Sequence, residues 1–208
     1  MERLVNKKIY IFRHGQTDWN IMGKLQGQSG VGLNIQGEKQ AQELKSILQL
    51  LNIDKYFVSP LQRALQTARI LEINYEIDDR IKEISFGIYE GYSLAMIEQR
   101  NPGILKRREK NKWYYKFDAS CESYEDIYLR TRNFIREKII NAVEDTIGII
   151  AHETVNKALI GNILQLDQRT IMEIKHPNDV TYLCNKMTLN HRFYVQNAKW
   201  NKGYIKNA

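Results

Sequence analysis

Ile9-Tyr10-Ile11-Phe12-Arg13-His14-Gly15-Gln16-Thr17-Asp18-Trp19-Asn20 is an apolar run that stops abruptly at an arginine, a histidine and a glycine. Consecutive large β-branched or aromatic residues closed by a glycine predict a strand buried on both faces of an α/β sheet rather than a short helix. Ligands of such sheets bind just beyond the carboxyl ends of the strands, where Arg13 and His14 fall. Gly15 is expected to let the backbone turn sharply and approach a bound group. A cation beside an imidazole suits an anion, although this triplet alone also fits the first solvated residues after a strand.

A second stretch of the same kind is Thr146-Ile147-Gly148-Ile149-Ile150-Ala151-His152-Glu153-Thr154, a buried strand that ends at a histidine and passes into a helix. If the two strands are parallel members of one sheet, His14 and His152 project at the same edge, with Arg13 and Arg63 beside them. The zinc pattern H-E-x-x-H fails, because its second histidine would fall on Asn156. No metal site is implied.

Between these strands the pattern alternates. Residues 23–37 hold five glycines (23, 27, 30, 32 and 37) among polar residues, which reads as a mobile loop over the strand end. Residues 36–51 form an amphipathic helix through Ala41, Leu44, Ile47, Leu48 and Leu51. Tyr56-Phe57-Val58 is a second strand, and Ser59-Pro60 is expected to start the next helix as N-cap and first residue. Arg63 then sits in that helix's first turn, where the dipole favours negative charge, so an arginine there makes most sense if it holds an anion. A short strand at 75–77 follows. Glu83, flanked by Ile81, Ile84 and Phe86, lies in surroundings that would desolvate a carboxyl and raise its pKa toward that of a general acid. Glu90 reads as structural.

Residues 94–124 are irregular and basic, with Lys106-Arg107-Arg108, Lys110, Lys112 and Lys116 interleaved with Trp113, Tyr114, Tyr115 and Phe117. Either aromatic rings stack nucleic-acid bases here, or the segment arches over the sheet edge and binds the far end of a small anion. Helical spacing resumes over 122–143. His176 and His191 read as loop residues without chemistry, 180–184 and 193–195 as closing and edge strands, and the tail from 199 as frayed.

The chain has 208 residues, 43% of them hydrophobic, with three prolines, and its 31 Lys+Arg against 24 Asp+Glu give a net charge of +7. The sequence pI is near 9.3. An anionic partner is favoured: a phosphorylated metabolite, nucleic acid or a membrane surface. Cys121 and Cys184 suggest neither a disulfide framework nor a zinc site. The N-terminal apolar run is too short for a signal or a membrane span, so a cytoplasmic protein is expected.

The blocks Arg13-His14-Gly15-Gln16-Thr17-x-Trp19-Asn20, Ser59-Pro60-Leu61-x-Arg63-Ala64-x-Gln66-Thr67-Ala68, Glu83-x-x-Phe86-Gly87-x-x-Glu90-Gly91 and the strand ending at His152 resemble, in order, the motifs of the histidine phosphatase superfamily, phosphoglycerate mutase-like branch. The resemblance implies a single domain over 1–208. It is an α/β three-layer sandwich with a central, mostly parallel sheet and a cap-like insertion at about 92–122. It implies metal-independent hydrolysis of phosphomonoesters, with His14 as nucleophile, Arg13, Arg63 and His152 binding the phosphoryl group, and Glu83 as proton donor. Under it the substrate-binding set is Asn20, Gln26, Arg107, Arg108, Lys112, Glu153 and Lys157.

Gly27-Gln28-Ser29-Gly30, the basic segment and residues 121–126 look like the fructose-2,6-bisphosphatase branch and broad sugar-phosphate phosphatases. Two positions depart from the pattern: Glu153 stands where glycine is usual, and Lys157 where arginine is common. No cofactor is expected unless the chain is a mutase, which would need 2,3-bisphosphoglycerate. The other alternative is a noncatalytic phospholigand or nucleic-acid binder, against which the full set of five site residues argues. The expected partner is a small phosphorylated substrate, not a membrane, with a homodimer left open.

Overall fold

In β1 (Lys8–Arg13), every residue from Ile9 to Phe12 is buried, with Ile9 and Ile11 in one core cluster and Tyr10 and Phe12 in another. That period-2 split is what a strand covered on both faces requires. The structure is a computed structural model, and it describes residues 4, 6–194 and 199–206.

In chain order, α1 (Asp18–Ile21), α2 (Ile35–Leu48), β2 (Lys55–Val58), α3 (Gln62–Leu71) and β3 (Glu76–Ile77) follow. Then come α4 (Leu94–Arg100), α5 (Ile104–Lys110) and α6 (Tyr124–Phe134), the last widening into a π turn at Ile135–Ile139. The remainder is β4 (Thr146–Ala151), α7 (Glu153–Leu164), α8 (Gln168–Glu173), β5 (Ile174–Lys175), β6 (Val180–Asn185), β7 (Thr188–Phe193), β8 (Asn201–Lys202) and β9 (Ile205–Lys206).

Seven strands form one sheet in the order β3-β2-β4-β1-β6-β7-β8, and β5 pairs with β9. β3, β2, β4 and β1 run parallel, while β6 is antiparallel to β1. The core containing Tyr10, Phe12, Tyr56 and Val58 also holds residues of α2 and α3; the opposite core, with Ile9, Ile11 and Phe57, holds Phe134 and the apolar face of α7. Gly148 of β4 admits the Tyr56 ring, which a Cβ would meet at 2.5 Å. The mixed, mostly parallel sheet with a helical layer on each side is the expected fold class.

Several local expectations change. Helix α3 starts at Gln62 with Leu61 as N-cap, because the Ser59 hydroxyl is directed to His152 instead. The basic segment is not irregular throughout: Ile97 and Ile104 anchor two short helices. Trp113 is buried against Tyr124 and Tyr128 and half-buried Phe117 packs against Tyr89 and Tyr115, which leaves Tyr114 as the exposed ring of the run, so the segment offers no continuous stacking platform. The glycine-rich loop is pinned: Leu33 N–H donates to Gln66 Oε1 and Gln28 N–H to Glu90 Oε1, each at 2.8 Å. His191 lies within β7 rather than in a loop. Phe193 ends a strand instead of beginning one, and Val195 lies outside the described residues. The tail is not frayed where it is described, since β8 and β9 both pair and Trp200 packs against Tyr10.

Candidate active site

Arg13 and Ala151 are register partners in neighbouring parallel strands, so His14 and His152 leave the sheet side by side, ring centroids 5.1 Å apart. The tautomer of His14 follows from its neighbours. Nδ1 lies 2.7 Å from the Gly15 carbonyl oxygen, which only accepts, so Nδ1 carries the hydrogen. Nε2 receives the Arg63 Nε–H at 3.2 Å and therefore carries the lone pair. Burial first, then the charges of Arg63 and Arg13, push the His14 pKa well below the usual imidazole range, and the ring is neutral at pH 7.

Arg63 is 1% exposed and reaches back from the first turn of α3. Its Nη2 donates to the Gly27 carbonyl at 2.8 Å and its Nη1 to that of Ser29 at 3.3 Å. Burial lowers its pKa to about 10, which leaves it charged at neutral pH. Gly27 has φ +52°, and a Cβ there would strike Glu90 Oε1 at 2.0 Å, so only glycine brings this carbonyl to the arginine. The close approach at Gly15 differs from the one expected. Its Cβ would meet the Gly37 carbonyl at 2.3 Å, so the glycine is needed for packing on the start of α2, not for a ligand.

Arg13 Nη1 donates to the His176 carbonyl at 2.7 Å and pairs with Glu153 at 2.9 Å. His176, fully buried, has its pKa lowered to about 3 by that burial. Its ring bridges the Val180 carbonyl and the Asn156 amide, and Asn156 also donates to the Phe12 carbonyl. The residue read as an idle loop histidine thus holds the backbone that positions Arg13. His152 lies behind His14. Its Nε2 is 2.7 Å from Ser59 Oγ, while its Nδ1 is buried and unpartnered, as is Arg13 Nε. Burial and the nearby Arg63 lower the His152 pKa as well.

Glu83 sits beside buried Ile81 and Ile84 as expected, yet it is not simply in apolar surroundings. One carboxylate oxygen accepts the Ile84 N–H at 2.9 Å and the other the Thr154 N–H at 3.3 Å, in the first turn of α7. Arg130 of α6 donates to the carbonyls of Arg80, Lys82 and Glu83 and so fixes this segment.

A cavity of about 310 Å³ opens at this edge, lined by Arg13, His14, Arg63, Glu83, Asn20, Gln26, Arg108, Glu153 and Lys157 together with Trp19, Lys24, Phe86, Tyr124 and Thr154. Burial pushes the Tyr124 phenol up to about 12. Asn20 is committed to a capping box with Thr17. Arg107 and Lys112, expected to bind substrate, are outside the lining: Arg107 is exposed and Lys112 pairs with Glu109. Thr154 and Arg130 carried no sequence signal of their own, because their roles come from a backbone N–H and from hydrogen bonds to carbonyls distant in the sequence. Among the described residues no group of three or more His, Cys, Asp and Glu is placed to hold a metal, and no helix is long and apolar enough to cross a membrane.

Two histidines and two arginines are thus gathered at the carboxyl edge of the α/β sheet, where ligands of such sheets bind. The chain belongs to the histidine phosphatase superfamily (branch 1), whose family model matches residues 9–195. It is 29% identical over 173 residues to a 6-phosphofructo-2-kinase/fructose-2,6-bisphosphatase of Aquarana catesbeiana, and 29% identical to the human enzyme 1 of that name, covering 82% of this chain in each case. The chain spans 36% of the length of these relatives. In fold it is similar to mycobacterial glucosyl-3-phosphoglycerate phosphatase (TM-score 0.74, 22% identity, 97% of this chain and 100% of the other). It is also similar to a phosphoserine phosphatase variant of Entamoeba histolytica (TM-score 0.70, 22% identity, 97% of each chain).

Proposed function

We propose that the chain is a metal-independent phosphatase that hydrolyses phosphomonoesters of small metabolites through a phosphohistidine on His14. The observation that carries this reading is the Nε2 lone pair of a neutral His14, oriented by the Gly15 carbonyl and set beside the Arg63 guanidinium at the cavity. In the first step Nε2 bonds to phosphorus, the ester P–O bond breaks, and its electrons go to the leaving oxygen, which takes a proton from Glu83. In the second step water attacks the phosphohistidine, gives its proton to Glu83, and the N–P bond electrons return to Nε2. Charge on the three phosphoryl oxygens is met by Arg13, Arg63 and the unpartnered Nδ1 of His152, fixed groups that need no reorganisation. Residues 92–122 act as the cap of a single domain and supply Arg108 to the cavity. The names of the relatives, bisphosphatase and phosphatase, favour hydrolysis over the mutase alternative.

Brief incubation with a ³²P-labelled phosphomonoester should give an acid-labile, base-stable phosphoprotein that His14→Ala does not form. Phosphate release should persist in excess EDTA. Label on a serine, or turnover that chelation abolishes and Mg²⁺ restores, would overturn the reading.

A further inference from the structure

The arginine that meets the phosphoryl group and the carboxyl that donates the proton are joined through a residue outside the cavity lining. Arg63 is clamped by the carbonyls of Gly27 and Ser29, and half-buried Gln28 stands between them. The Gln28 N–H donates to Glu90 Oε1 at 2.8 Å, and the same oxygen accepts the Phe86 N–H at 3.2 Å. The Gln28 side chain crosses to the segment that carries the acid: its Nε2 lies 3.1 Å from the Glu83 carbonyl oxygen and 3.3 Å from Glu122 Oε2. A carbonyl and a carboxylate only accept, so it is the amide nitrogen, with its two hydrogens, that faces them. Glu122 is itself fixed, its Oε2 accepting the Ser85 N–H at 2.9 Å and its Oε1 the Arg130 Nε–H at 3.0 Å.

We propose that Gln28 is a positioning residue that sets the Glu83 carboxyl relative to the phosphoryl group on Arg63, and that it does so as a hydrogen-bond donor. The Glu83 carbonyl is fixed from two sides, by Gln28 and by Arg130 Nη2 at 3.2 Å. Arg130 ties it to α6, whereas Gln28 ties it to the loop that clamps Arg63. Misplacing a reacting group by about 1 Å can cost ~10²-fold in rate, so this contact can govern proton transfer without touching substrate. An acceptor in place of the amide nitrogen would set lone pairs against the Glu83 carbonyl and the Glu122 carboxylate and leave all three without a donor. The bond from the Gln28 N–H to Glu90 does not depend on the side chain, so Arg63 keeps its clamp when the amide alone is removed.

This inference rests on the phosphatase reading, and its readout is how the loss depends on the leaving group. kcat/KM is measured for phenyl phosphate and p-nitrophenyl phosphate, esters alike in shape whose leaving groups differ in their need for a proton. Melting temperature is followed in parallel. Gln28→Met, close in size but unable to donate, should lower the rate on phenyl phosphate by ~10-fold or more, and that on p-nitrophenyl phosphate far less. Gln28→Glu should lose at least as much on phenyl phosphate. In a Glu83→Gln background Gln28→Met should cost little more, since the group it positions is already gone. Gln28→Ala gives the same readout should methionine unsettle the fold. Equal losses on both esters, additive losses in the double variant, or a wild-type ratio of rates in Gln28→Glu would overturn the inference and leave the phosphatase reading standing. No hydrolysis of either ester by the unaltered chain would sink both.

Discussion

The edge where β1 and β4 end and the basic stretch around α5 are both rich in cations, but the first turns both of its arginines inward and the second only Arg108. Arg13 and Arg63 are held by the carbonyls of His176, Gly27 and Ser29, which offset the cost of removing a guanidinium from water. On α5 the geometry is that of a surface helix: Arg108 lies four residues after buried Ile104 and shares its face, whereas Lys106, Arg107 and Lys110 are exposed. Lys112 and Lys116 pair with Glu109 and Asp126. A dense run of positive charge is thus a weaker sign of an anion site than a single arginine in a position where stability alone would not put one.

The largest effect that tests this contrast is expected at Arg63. Arg63→Ala should lower kcat/KM for a phosphomonoester by ~10³–10⁵-fold, the usual worth of an arginine that meets phosphoryl charge. Arg63→Lys should recover little, since a point charge cannot span Gly27, Ser29 and His14 at once. Because Arg63 also fastens the loop, its melting temperature must be followed in parallel. A loss below tenfold with the fold intact would mean that burial, not chemistry, explains the residue.

Glu83 comes next. Glu83→Gln keeps one acceptor oxygen for the backbone donors of Ile84 and Thr154, so the site should persist. Turnover of sugar phosphates should fall by ~10²–10⁴-fold, as for loss of a general acid. p-Nitrophenyl phosphate, with a leaving group that needs little protonation, should suffer far less. Equal losses on both substrates would assign Glu83 to binding or support.

A smaller effect is expected in the pH dependence of stability, because the edge holds three buried histidines and the basic stretch none. His14, His152 and His176 all have folded pKa values lowered chiefly by burial, that of His176 to about 3. As pH falls below the unfolded value of about 6.5, the unfolded chain binds protons that the folded chain refuses. The stability they confer is therefore complete above that value and is lost as pH falls toward the folded ones. Each histidine contributes a slope of about 1.4 kcal/mol per pH unit inside its window. Urea unfolding from pH 7 to pH 4 should show a shallower decline for His176→Gln than for the wild type, even though the variant starts less stable. Parallel curves would mean that His176 takes up its proton without unfolding.

The parts of the molecule that were legible in the sequence are those where backbone geometry does the positioning. Apolar runs ending at His14 and His152 fixed the sheet's central pair, and parallel pairing then brought the histidines together without further information. Arg63 was legible because a cation in the first turn of a helix has no ordinary reason to be there. Illegible features depended on side chains reaching across the fold. Ser59 looked like a helix cap, but the nearest unmet need was the ring of His152, 93 residues away in sequence. His176 looked idle, since its role is exerted through its carbonyl on Arg13. The inward turn of Trp113 is set by Tyr124 and Tyr128, and nothing in the local pattern distinguishes that from an exposed stacking surface.

The smallest effects are expected on α5, and they sharpen the contrast most finely because they divide neighbours on one helix. Arg108 lines the cavity with its guanidinium 6.0 Å from the Phe117 ring, while Arg107 and Lys112 are off the lining. A partly solvated cation bound to an exposed acid such as Glu109 contributes modestly to holding an anion. If Arg108 contacts substrate equally in the ground and transition states, its loss raises KM and leaves kcat nearly constant. Arg108→Ala should therefore raise KM for a sugar phosphate by ~3–5-fold, an effect that shrinks with added salt. Arg107→Ala and Lys112→Ala should each leave KM within about twofold, the size expected of surface charges screened by solvent. Steady-state kinetics of the three single variants at low and high ionic strength decides the matter. Equal KM changes in all three would show that the stretch attracts substrate by its summed field, and the distinction between cations turned inward and cations left in solvent would fail on α5.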